Sequence, residues 1–314
     1  MTNQPAISIR NVTKTYAPRG KAPAKTALHG IDLDIPAGSL FALLGPNGAG
    51  KSTLINIMAG LVLKSTGSVS VWGTDIDEDP RRARASIGVV PQELNIDPFF
   101  TPHALLDLQA GLYGMPKADR KPLELLKALG LADKADSYAR TLSGGMRRRL
   151  MVAKAMIHRP PILVLDEPTA GVDIDLRKQL WDYVRELNAL GTTVLLTTHY
   201  LEEAEELCDR IAIITDGRLV AHDSKDALLS RLDGKELRVE LTTAIESVPP
   251  KLAELGGEYL GPGKLLFRYR RSDSIVGRIL AAIASEGLTV ADLSTVEADL
   301  EDIFLQLTRA ARAA

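Results

Sequence analysis

The feature that most constrains this chain is a glycine-rich loop followed by a lysine and a serine. Residues 45–52 read GPNGAGKS, which fits the pattern G-x-x-x-x-G-K-[ST]. An apolar run, SLFALLG, precedes the loop, and a helical pattern, STLINIMAGLV (52–62), follows it. Such glycines let backbone N–H groups face one point, and the helix adds the positive end of its dipole. The motif therefore predicts a phosphate-binding loop in which Lys51 reaches the outer phosphates and Ser52 holds Mg²⁺.

Other apolar runs place this loop in a parallel sheet. The runs PPILVLDEP (160–168) and TTVLLTTH (192–199) end in polar residues, and residues 173–190 between them repeat at the helical period of about 3.6. Strands that alternate with helices indicate an α/β fold with helices packed on a parallel sheet. Downstream, RIAIITDGRLVAHDS predicts a hairpin whose two-residue turn is Asp216-Gly217.

The pattern changes near residue 232, where we place a domain boundary. Up to that point SKDALLSRL predicts a short helix, and beyond it ELRVEL and LLFRYR alternate as solvent-facing strands do. The segments IVGRILAAIASEG and VEADLEDIFLQLTRA are typical of amphipathic helices. We therefore predict a larger domain over residues 1–231 and a small α/β domain over residues 232–314.

Composition argues against several classes of protein. A net charge of −2 gives the molecule no electrostatic reason to bind nucleic acid or an anionic membrane. The single cysteine, Cys208, cannot form an internal disulfide, which favours a reducing compartment. The N-terminal residues do not resemble a signal peptide, and no apolar run approaches the roughly 20 residues that span a bilayer. Any membrane role is therefore expected to depend on a partner.

Two carboxylates end the strand predicted within residues 160–168. Asp166 is placed to reach Mg²⁺ through a water molecule, as the second acidic partner of such a loop does. Glu167 follows it and would polarise the water that attacks the γ-phosphate. The alternative is an acidic strand end that caps the next helix.

Three further side chains are candidate nucleotide contacts. Parallel strand order puts His199 on the rim that presents Lys51 and Asp166, where it would contact the γ-phosphate and the attacking water. Gln92, in GVVPQEL, follows another apolar strand and would reach Mg²⁺ and the same water. Tyr16, in VTKTYAP, would stack on adenine through its ring face. The plainer alternatives are a structural histidine, a surface glutamine and an edge-strand aromatic.

A second anion-binding pattern, TLSGGMRRRL, occupies residues 141–150. Ser143 and a basic run open a predicted helix, although the first loop already provides a complete phosphate cradle. An ordinary helix cap accounts for Ser143 but leaves the paired Gly144 and Gly145 unexplained.

Six motifs in order make the chain resemble the ATP-binding subunits of ABC transporters. They are Tyr16, GPNGAGKST, PQE, LSGGM, LVLDEPT and His199 preceded by GVD at 171–173, and they cover about residues 6–230. LSGGM is the most diagnostic, because other phosphate-loop ATPases lack it. The resemblance implies a P-loop NTPase core of ABC ATPase type, with a parallel sheet, an antiparallel β subdomain and a helical signature subdomain over about 93–158. The tail would form a small C-terminal α/β domain.

The resemblance also assigns the second pattern to the nucleotide of another copy. Ser143 would donate to the partner's γ-phosphate, Gly144 and Gly145 would let the backbone approach, and Asp173 would lie at the seam between subunits. Two copies would hold two ATP molecules head to tail, and neither half-site would be complete alone. The catalytic residues implied are Glu167, His199 and Gln92, and the Mg²⁺ ligands are Ser52, Gln92 and Asp166. The phosphate contacts implied are Gly45, Pro46, Asn47, Gly48, Ala49, Gly50, Lys51, Ser52 and Thr53.

Within that family, the chain resembles ATPases that pair with ABC-2 type export permeases for drugs, polysaccharides or lipids. The stretches VVPQELNIDPFFT, TAGVDIDLRKQLW and LSTVEADLEDIFLQLT have that character. This implies a homodimer on the cytoplasmic face of the cell membrane, which drives a separate integral-membrane permease and binds no nucleic acid. Residues 93–108 lie where family members receive the permease's cytoplasmic helix. One departure is the long loop PRGKAPAK between Tyr16 and Leu28, which leaves the adenine contacts beyond Tyr16 open.

Two other functions stay open at this stage. One is a soluble member of the same superfamily in DNA repair or ribosome work, although such proteins typically carry a long coiled-coil insert or two cassettes. The other is an ATP-operated clamp that acts without transport or turnover, against which the intact Glu167 and His199 argue.

Overall fold

The computed structural model describes residues 4–18, 20, 23–93, 95–169, 174–230, 234–270, 275–297 and 300–313. The chain divides into two compact units, Met1–Lys225 and Asp226–Ala314. The boundary placed between residues 231 and 232 from the sequence stays a prediction.

Strands and helices alternate through most of the first unit, and the second unit adds a further sheet. The strands are β1 (Pro5–Tyr16), β2 (Lys25–Pro36), β3 (Leu40–Leu44), β4 (Thr66–Val71), β5 (Thr74–Asp75), β6 (Ile87–Val90), β7 (Ile162–Asp166), β8 (Thr193–Thr198), β9 (Arg210–Thr215), β10 (Arg218–Ser224), β11 (Gly234–Leu241), β12 (Gly257–Gly261), β13 (Lys264–Arg270) and β14 (Val290–Glu297). The helices are α1 (Lys51–Met58), α2 (Pro80–Ala85), α3 (Pro102–Leu112), α4 (Pro122–Ala128), α5 (Gly144–Met156), α6 (Ile174–Ala189), α7 (Leu201–Leu207), α8 (Lys225–Leu229), α9 (Pro250–Glu254), α10 (Val276–Ser285) and α11 (Leu300–Ala313).

A six-stranded sheet with the order β10-β9-β3-β8-β7-β6 forms the centre of the first unit. Strands β9, β3, β8, β7 and β6 pair in parallel, and β10 joins the edge of β9 in the antiparallel sense. Every residue of β3, β7 and β8 is buried, as their continuous apolar runs predict for strands covered on both faces. The predicted α/β fold is confirmed.

An antiparallel sheet, β2-β1-β4-β5, packs over the phosphate loop's helix and the central sheet. One apolar core joins them, since Ile7 and Ile31 of this sheet cluster with Leu54 of α1 and with Phe41 and Val164 of the central sheet. The core therefore fixes the end of β1, where Tyr16 lies, relative to the phosphate loop. Helices α3 to α5 form the helical part of this unit.

The second unit is a four-stranded antiparallel sheet, β12-β13-β11-β14, with helices packed on one face. Leu237, Val239 and Phe267 of the sheet share a core with Ile279 and Ile283 of α10. The alternation of ELRVEL and LLFRYR is confirmed as strand structure.

The helix predicted from VEADLEDIF begins later than its pattern indicates. Val296 and Glu297 are the last residues of β14, where they pair with Glu236 and Lys235 of β11, and the helix begins at Leu300. Tertiary strand pairing overrides the local helical pattern here.

Helix α1 also ends earlier than its apolar pattern, which runs to residue 62. Gly60 adopts a left-handed φ of 69°, and its N–H donates to the carbonyl of Ile57 while the Leu61 N–H donates to the carbonyl of Asn56. This pair of bonds is the Schellman arrangement, which closes a helix at a glycine.

The predicted hairpin of β9 and β10 is confirmed, and its turn supports the phosphate loop. Asp216 and Gly217 have φ values of 48° and 72°. The Gly217 N–H donates to the Ala49 carbonyl at 2.9 Å, and its carbonyl accepts from the His29 N–H at 2.8 Å. A Cβ at position 217 would lie 2.5 Å from the Ala27 carbonyl oxygen, so only glycine fits.

We predict that Gly217→Ala lowers the melting temperature more than Gly38→Ala does. Both glycines have a φ of 72°, so alanine at either position bears the left-handed penalty of about 1–2 kcal/mol. A Cβ at position 38 meets nothing within 4 Å, whereas position 217 adds overpacking, which typically costs about 1–3 kcal/mol. Thermal unfolding of the two variants measures the difference, and equal melting temperatures would contradict the close packing of the turn.

Candidate functional site

Four parallel strands each end within one residue of the neighbouring strand and bring the predicted site residues to one edge of the sheet. Leu44 pairs with Thr198, Asp166 pairs with Thr197, and Val90 pairs with Leu165. The phosphate loop, His199, Glu167 and Gln92 therefore all leave the sheet along the same rim. In parallel α/β sheets, this carboxyl edge is where ligands bind.

The phosphate loop packs closely against the backbone of the neighbouring strand β9. A Cβ at Gly45 would lie 2.3 Å from the Ile214 carbonyl oxygen of β9, so the loop leaves β3 in direct backbone contact with its neighbour. Gly50 has a φ of 107° and is the residue before helix α1, which points its N-terminus into the loop. The loop has the curled backbone that its glycines predict.

A cavity of about 290 Å³ lies over this loop. Its lining brings together Tyr16, Gln92 and Glu167, which the sequence predicts as nucleotide contacts, with loop residues 47–53. It also includes Lys25 and Ala27 of β2, which no motif marks. The complete lining is Tyr16, Lys25, Ala27, Asn47, Gly48, Ala49, Gly50, Lys51, Ser52, Thr53, Gln92 and Glu167.

Lys51 is almost fully buried, with 5% of its surface exposed. Its Nζ donates to the carbonyl oxygens of Gly45 at 2.6 Å and Pro46 at 3.3 Å. Burial lowers the pKa of Lys51, and the nearby carboxylates of Glu167 and Asp166 oppose that shift. The ammonium group is thus held inside the loop, 4.0 Å from Oε1 of Glu167.

The Glu167 carboxylate is the point where the predicted catalytic side chains meet. Gln92 Nε2 donates to its Oε2 at 3.0 Å, and His199 Nδ1 lies 3.4 Å from the same oxygen. With Lys51 beside Oε1, three chain segments converge on one carboxylate. The structure therefore brings Gln92, Glu167 and His199 together as the sequence predicts, and their catalytic roles stay a proposal.

Glu167 has a left-handed φ of 47°, which is strained for a residue with a side chain. Its N–H donates to both the carbonyl oxygen and the Oγ1 of Thr197, at 3.0 and 3.1 Å. The Thr197 hydroxyl in turn donates to Asp166 Oδ1. Thr197 thus orients the Asp166 carboxylate and the backbone of Glu167, although no motif names it; its one sequence signal is a hydroxyl near the end of the buried strand TVLLTT.

Tyr16 ends β1 at the mouth of the cavity with 39% of its surface exposed. The Lys14 ammonium lies 4.8 Å from the centroid of its ring, within range of a cation–π contact. Tyr16 pairs directly with Lys25 across the β1–β2 ladder. The adenine contact fits this position, whereas β1 lies between β2 and β4 and is not an edge strand.

Ser143 lies elsewhere on the surface. Its Oγ accepts from the Met146 N–H at 3.3 Å, which makes it the N-cap of α5, and Ser143 and Gly144 are exposed. Among the described residues that line the phosphate cavity, none belongs to 143–145. Asp173, the predicted seam residue, lies outside the described part of the chain.

Arg148 ties the helix that begins at Ser143 to the segment that carries Gln92. The side chain is 4% exposed, and its Nη1 donates to the Pro91 carbonyl at 3.0 Å. Burial lowers the pKa of Arg148, and the charge of Asp166 opposes that shift. The sequence shows only a basic run at 147–149, which by itself predicts a solvated helix face, so this anchor was missed.

The comparisons with known proteins agree with this geometry. Residues 28–170 match the family described as ABC transporter. The chain is 36% identical to the linearmycin resistance ATP-binding protein LnrL of Bacillus subtilis (strain 168), over 96% of this chain and 98% of that protein. It is 38% identical to the daunorubicin/doxorubicin resistance ATP-binding protein DrrA of Streptomyces peucetius, over 98% and 94%. A similar solved structure is the dimeric cassette MJ0796 in a post-hydrolysis state bound to ADP and Pi, with a TM-score of 0.62 and 29% identity over 69% of this chain and 98% of that one.

Within the part of the chain that the structure describes, every helix is too short or too polar to cross a bilayer.

We predict that Lys51→Ala weakens ATP affinity by at least about tenfold. Lys51 is placed to give charge-assisted hydrogen bonds, typically about 1.5–3 kcal/mol each, and about 1.4 kcal/mol is a tenfold change in affinity. Titration with a fluorescent ATP analogue measures the loss. Lys127→Ala, which removes an exposed lysine from α4, is the control and should bind as the wild type does. Unchanged affinity in Lys51→Ala would contradict the cradle assignment.

Proposed function

This chain belongs to the ABC transporter family of ATP-binding proteins, and on that premise we propose that it is the ATPase subunit of an exporter. It hydrolyses ATP between two copies arranged head to tail and so drives a separate membrane permease. The names of the two relatives refer to drug resistance, which supports outward transport.

The observation that carries this proposal is the separation of two anion-binding elements within one chain. The phosphate loop is concave, with its lysine buried, whereas Ser143 stands exposed at the start of a 13-residue helix. The hydroxyl, the helix dipole and the free N–H groups suit an anion. Because the chain's own phosphate cavity is lined without Ser143, a second copy is the natural source of the phosphate that it meets.

Hydrolysis is assigned to the cluster around Glu167. Its carboxylate accepts a proton from the attacking water, as a general base does. Gln92 and His199 meet one of its oxygens and hold the water and the γ-phosphate in line with it. Lys51 offsets charge on the outer phosphates from the opposite side.

The donor set also suits Mg²⁺. Ser52 offers a hydroxyl, Gln92 an amide oxygen and Asp166 a carboxylate, and hard divalent cations prefer oxygen ligands of these kinds. Ser52 and Gln92 line the phosphate cavity, and Asp166 ends the neighbouring strand β7. We assign these three side chains, with Asp166 acting through water, as the groups that would hold Mg²⁺; the ion would neutralise charge on the phosphate oxygens.

The permease is proposed to be of ABC-2 type and to dock beside Gln92. A second cavity, of about 350 Å³, opens between β6, α3 and α5, with Pro91, Gln109 and Lys154 among its lining residues. Phe99 lies within the segment 93–108, and Leu112 lies just after it. Both side chains are largely exposed. A cytoplasmic helix of the permease would bury these apolar side chains, and the chain would reach the membrane through that contact.

We predict that Glu167→Gln binds ATP with near-normal affinity but turns it over about 10²–10⁴ times more slowly. The amide keeps the shape and the hydrogen bond to Gln92 but cannot accept a proton, and a positioned general base contributes about this factor. Phosphate release measures turnover. Glu186→Gln makes the same change at an exposed position of α6 and should leave the rate unaltered. Normal turnover in Glu167→Gln would assign the base elsewhere.

We predict that Ser143→Arg leaves ATP binding to the monomer intact but prevents ATP-dependent dimerisation. The monomer's own cradle is the Lys51 loop, whereas arginine at 143 fills the space that the partner's γ-phosphate needs. Ser143→Ala removes the same N-cap, worth about 0.5–2 kcal/mol, without the bulk, and so separates loss of the cap from obstruction.

Mixing variants tests which subunit Ser143 serves. A mixed dimer of a Ser143→Arg chain and a Lys51→Ala chain should contain one intact site, made of Lys51 from the first chain and Ser143 from the second. The mixture should therefore dimerise when ATP is added, whereas neither variant alone should form a homodimer. Light scattering on a Glu167→Gln background, which slows reopening, measures the association. Loss of monomer ATP binding in Ser143→Arg would mean that LSGGM serves its own nucleotide, and the head-to-tail arrangement would be wrong.

A further inference from the structure

A buried carboxylate that no motif marks connects the two segments that carry Glu167 and His199. Glu203 lies on α7 with 4% of its surface exposed, and both of its oxygens are engaged. The Thr169 hydroxyl donates to Oε1, and the Thr198 hydroxyl donates to Oε2 at 2.9 Å. Each threonine is 1% exposed, so water does not compete for these bonds.

The two threonines stand next to the catalytic cluster in sequence and in space. Thr169 is two residues after Glu167, and Thr198 immediately precedes His199. The Thr198 oxygen also accepts from the Tyr200 N–H at 3.0 Å, so its hydroxyl is fixed as donor to Glu203 and acceptor from the backbone that follows His199. A single carboxylate thus bridges the end of β7 and the end of β8.

A cation completes the arrangement from a third segment. Arg177 Nε lies 3.6 Å from Glu203 Oε1, and its guanidinium lies 5.7 Å from the ring centroid of Tyr200. Arg177 is in the first turns of α6, so Thr169 and Arg177 precede and follow residues 170–173 in sequence. We call Glu203, together with Thr169, Arg177 and Thr198, the clamp. The clamp therefore contacts the chain on both sides of the predicted seam residue Asp173.

Burying such a charged clamp costs more free energy than burying apolar side chains in the same place. Removing a carboxylate from water is unfavourable unless it is paired and hydrogen-bonded, and a packed apolar side chain often stabilises a fold as well or better. What a satisfied buried network adds is a defined geometry of the groups that it joins. Here those groups flank the 3.4 Å approach of His199 Nδ1 to Glu167 Oε2.

We propose that Glu203 is a positioning residue that holds His199 against Glu167 for hydrolysis; this rests on the proposed ATPase function. Glu203 does not belong to the described lining of the phosphate cavity, so it acts on turnover and leaves nucleotide affinity nearly unchanged. Its action passes through the two threonine hydroxyls, which makes each hydroxyl as important as the carboxylate.

The experiment compares variants that keep or remove those hydroxyls in the full-length chain. Thr169→Val and Thr198→Val remove a bridge at nearly constant volume, whereas Thr169→Ser and Thr198→Ser keep it. We expect the valine variants and Glu203→Gln to lower kcat about ten- to a hundredfold, as misplacement of reacting groups by about 1 Å does, with KM for ATP changed less than about twofold. The serine variants should retain most of kcat. Glu206→Gln, on the exposed side of α7, should match the wild type.

A double-mutant cycle tests whether the two bonds act as one bridge. If they do, Thr169→Val combined with Thr198→Val lowers kcat far less than the product of the single effects, because the first loss already breaks the bridge. Independent multiplication of the effects, equal kcat in serine and valine variants, or a parallel loss of ATP affinity would each overturn the positioning role. If the wild type is active and the valine variants have unaltered kcat, the positioning role is overturned and the ATPase function stands. If the wild type itself releases no phosphate, the ATPase function is overturned.

Discussion

The register of four parallel strands, which brings their ends to one edge of the sheet, is the constraint on which the site depends. Leu44 pairs with Thr198, Thr197 with Asp166, and Leu165 with Val90, so the residues that follow these strand ends leave the sheet along one edge. A slip of one residue in any strand would turn its side chains to the opposite face and withdraw its group from the cluster. The buried apolar faces of these strands oppose such a slip, because each face is covered by helices or by the antiparallel sheet. Catalytic geometry in this protein is therefore a consequence of core packing.

The sequence predicts those parts of the site that depend on local backbone and on strand ends. Gly45 to Ser52, Asp166, Glu167 and His199 all lie at or after the ends of apolar runs, so their positions could be inferred once those runs were assigned to one parallel sheet. Thr197, Arg148 and Glu203 were missed because their roles come from contacts 30 to 57 residues distant in sequence, or from bonds to backbone atoms of another segment. The end of α1 at Met58 and the start of α11 after β14 were misplaced for related reasons, since the capping geometry at Gly60 and a strand pairing override the apolar period. Residues 170–173, and with them Asp173, lie outside what the structure describes.

The charged groups of the site already contact one another before any nucleotide is bound. Lys51 is buried beside the carboxylates of Glu167 and Asp166, and its ammonium is satisfied by two carbonyl oxygens of its own loop. Glu167 is held in a strained conformation by two bonds from its N–H to Thr197, while its side chain meets Gln92 and His199. A phosphate that enters the loop offers Lys51 charged oxygen acceptors in place of neutral carbonyl oxygens. The charged acceptors form the stronger hydrogen bonds with an ammonium group. The loop is thus curled in advance, and binding exchanges the hydrogen-bond acceptors of the buried lysine.

The exposed position of Ser143 fits the two-fold symmetry of the proposed head-to-tail dimer. A two-fold contact uses the same surface of both copies. If a residue of one chain contributes to the partner's site, the same residue of the partner therefore contributes to the first chain's site. In the proposed head-to-tail dimer, each chain therefore presents a phosphate loop that lacks one wall and, through Ser143, the wall that the other copy lacks. Arg148 links these two elements within the chain, because it anchors the helix that begins at Ser143 to the carbonyl that precedes Gln92. Through that bond, the element that we propose meets the partner's nucleotide is fixed relative to the Gln92 segment, which we propose contacts the chain's own nucleotide; two sites that close together require such a link.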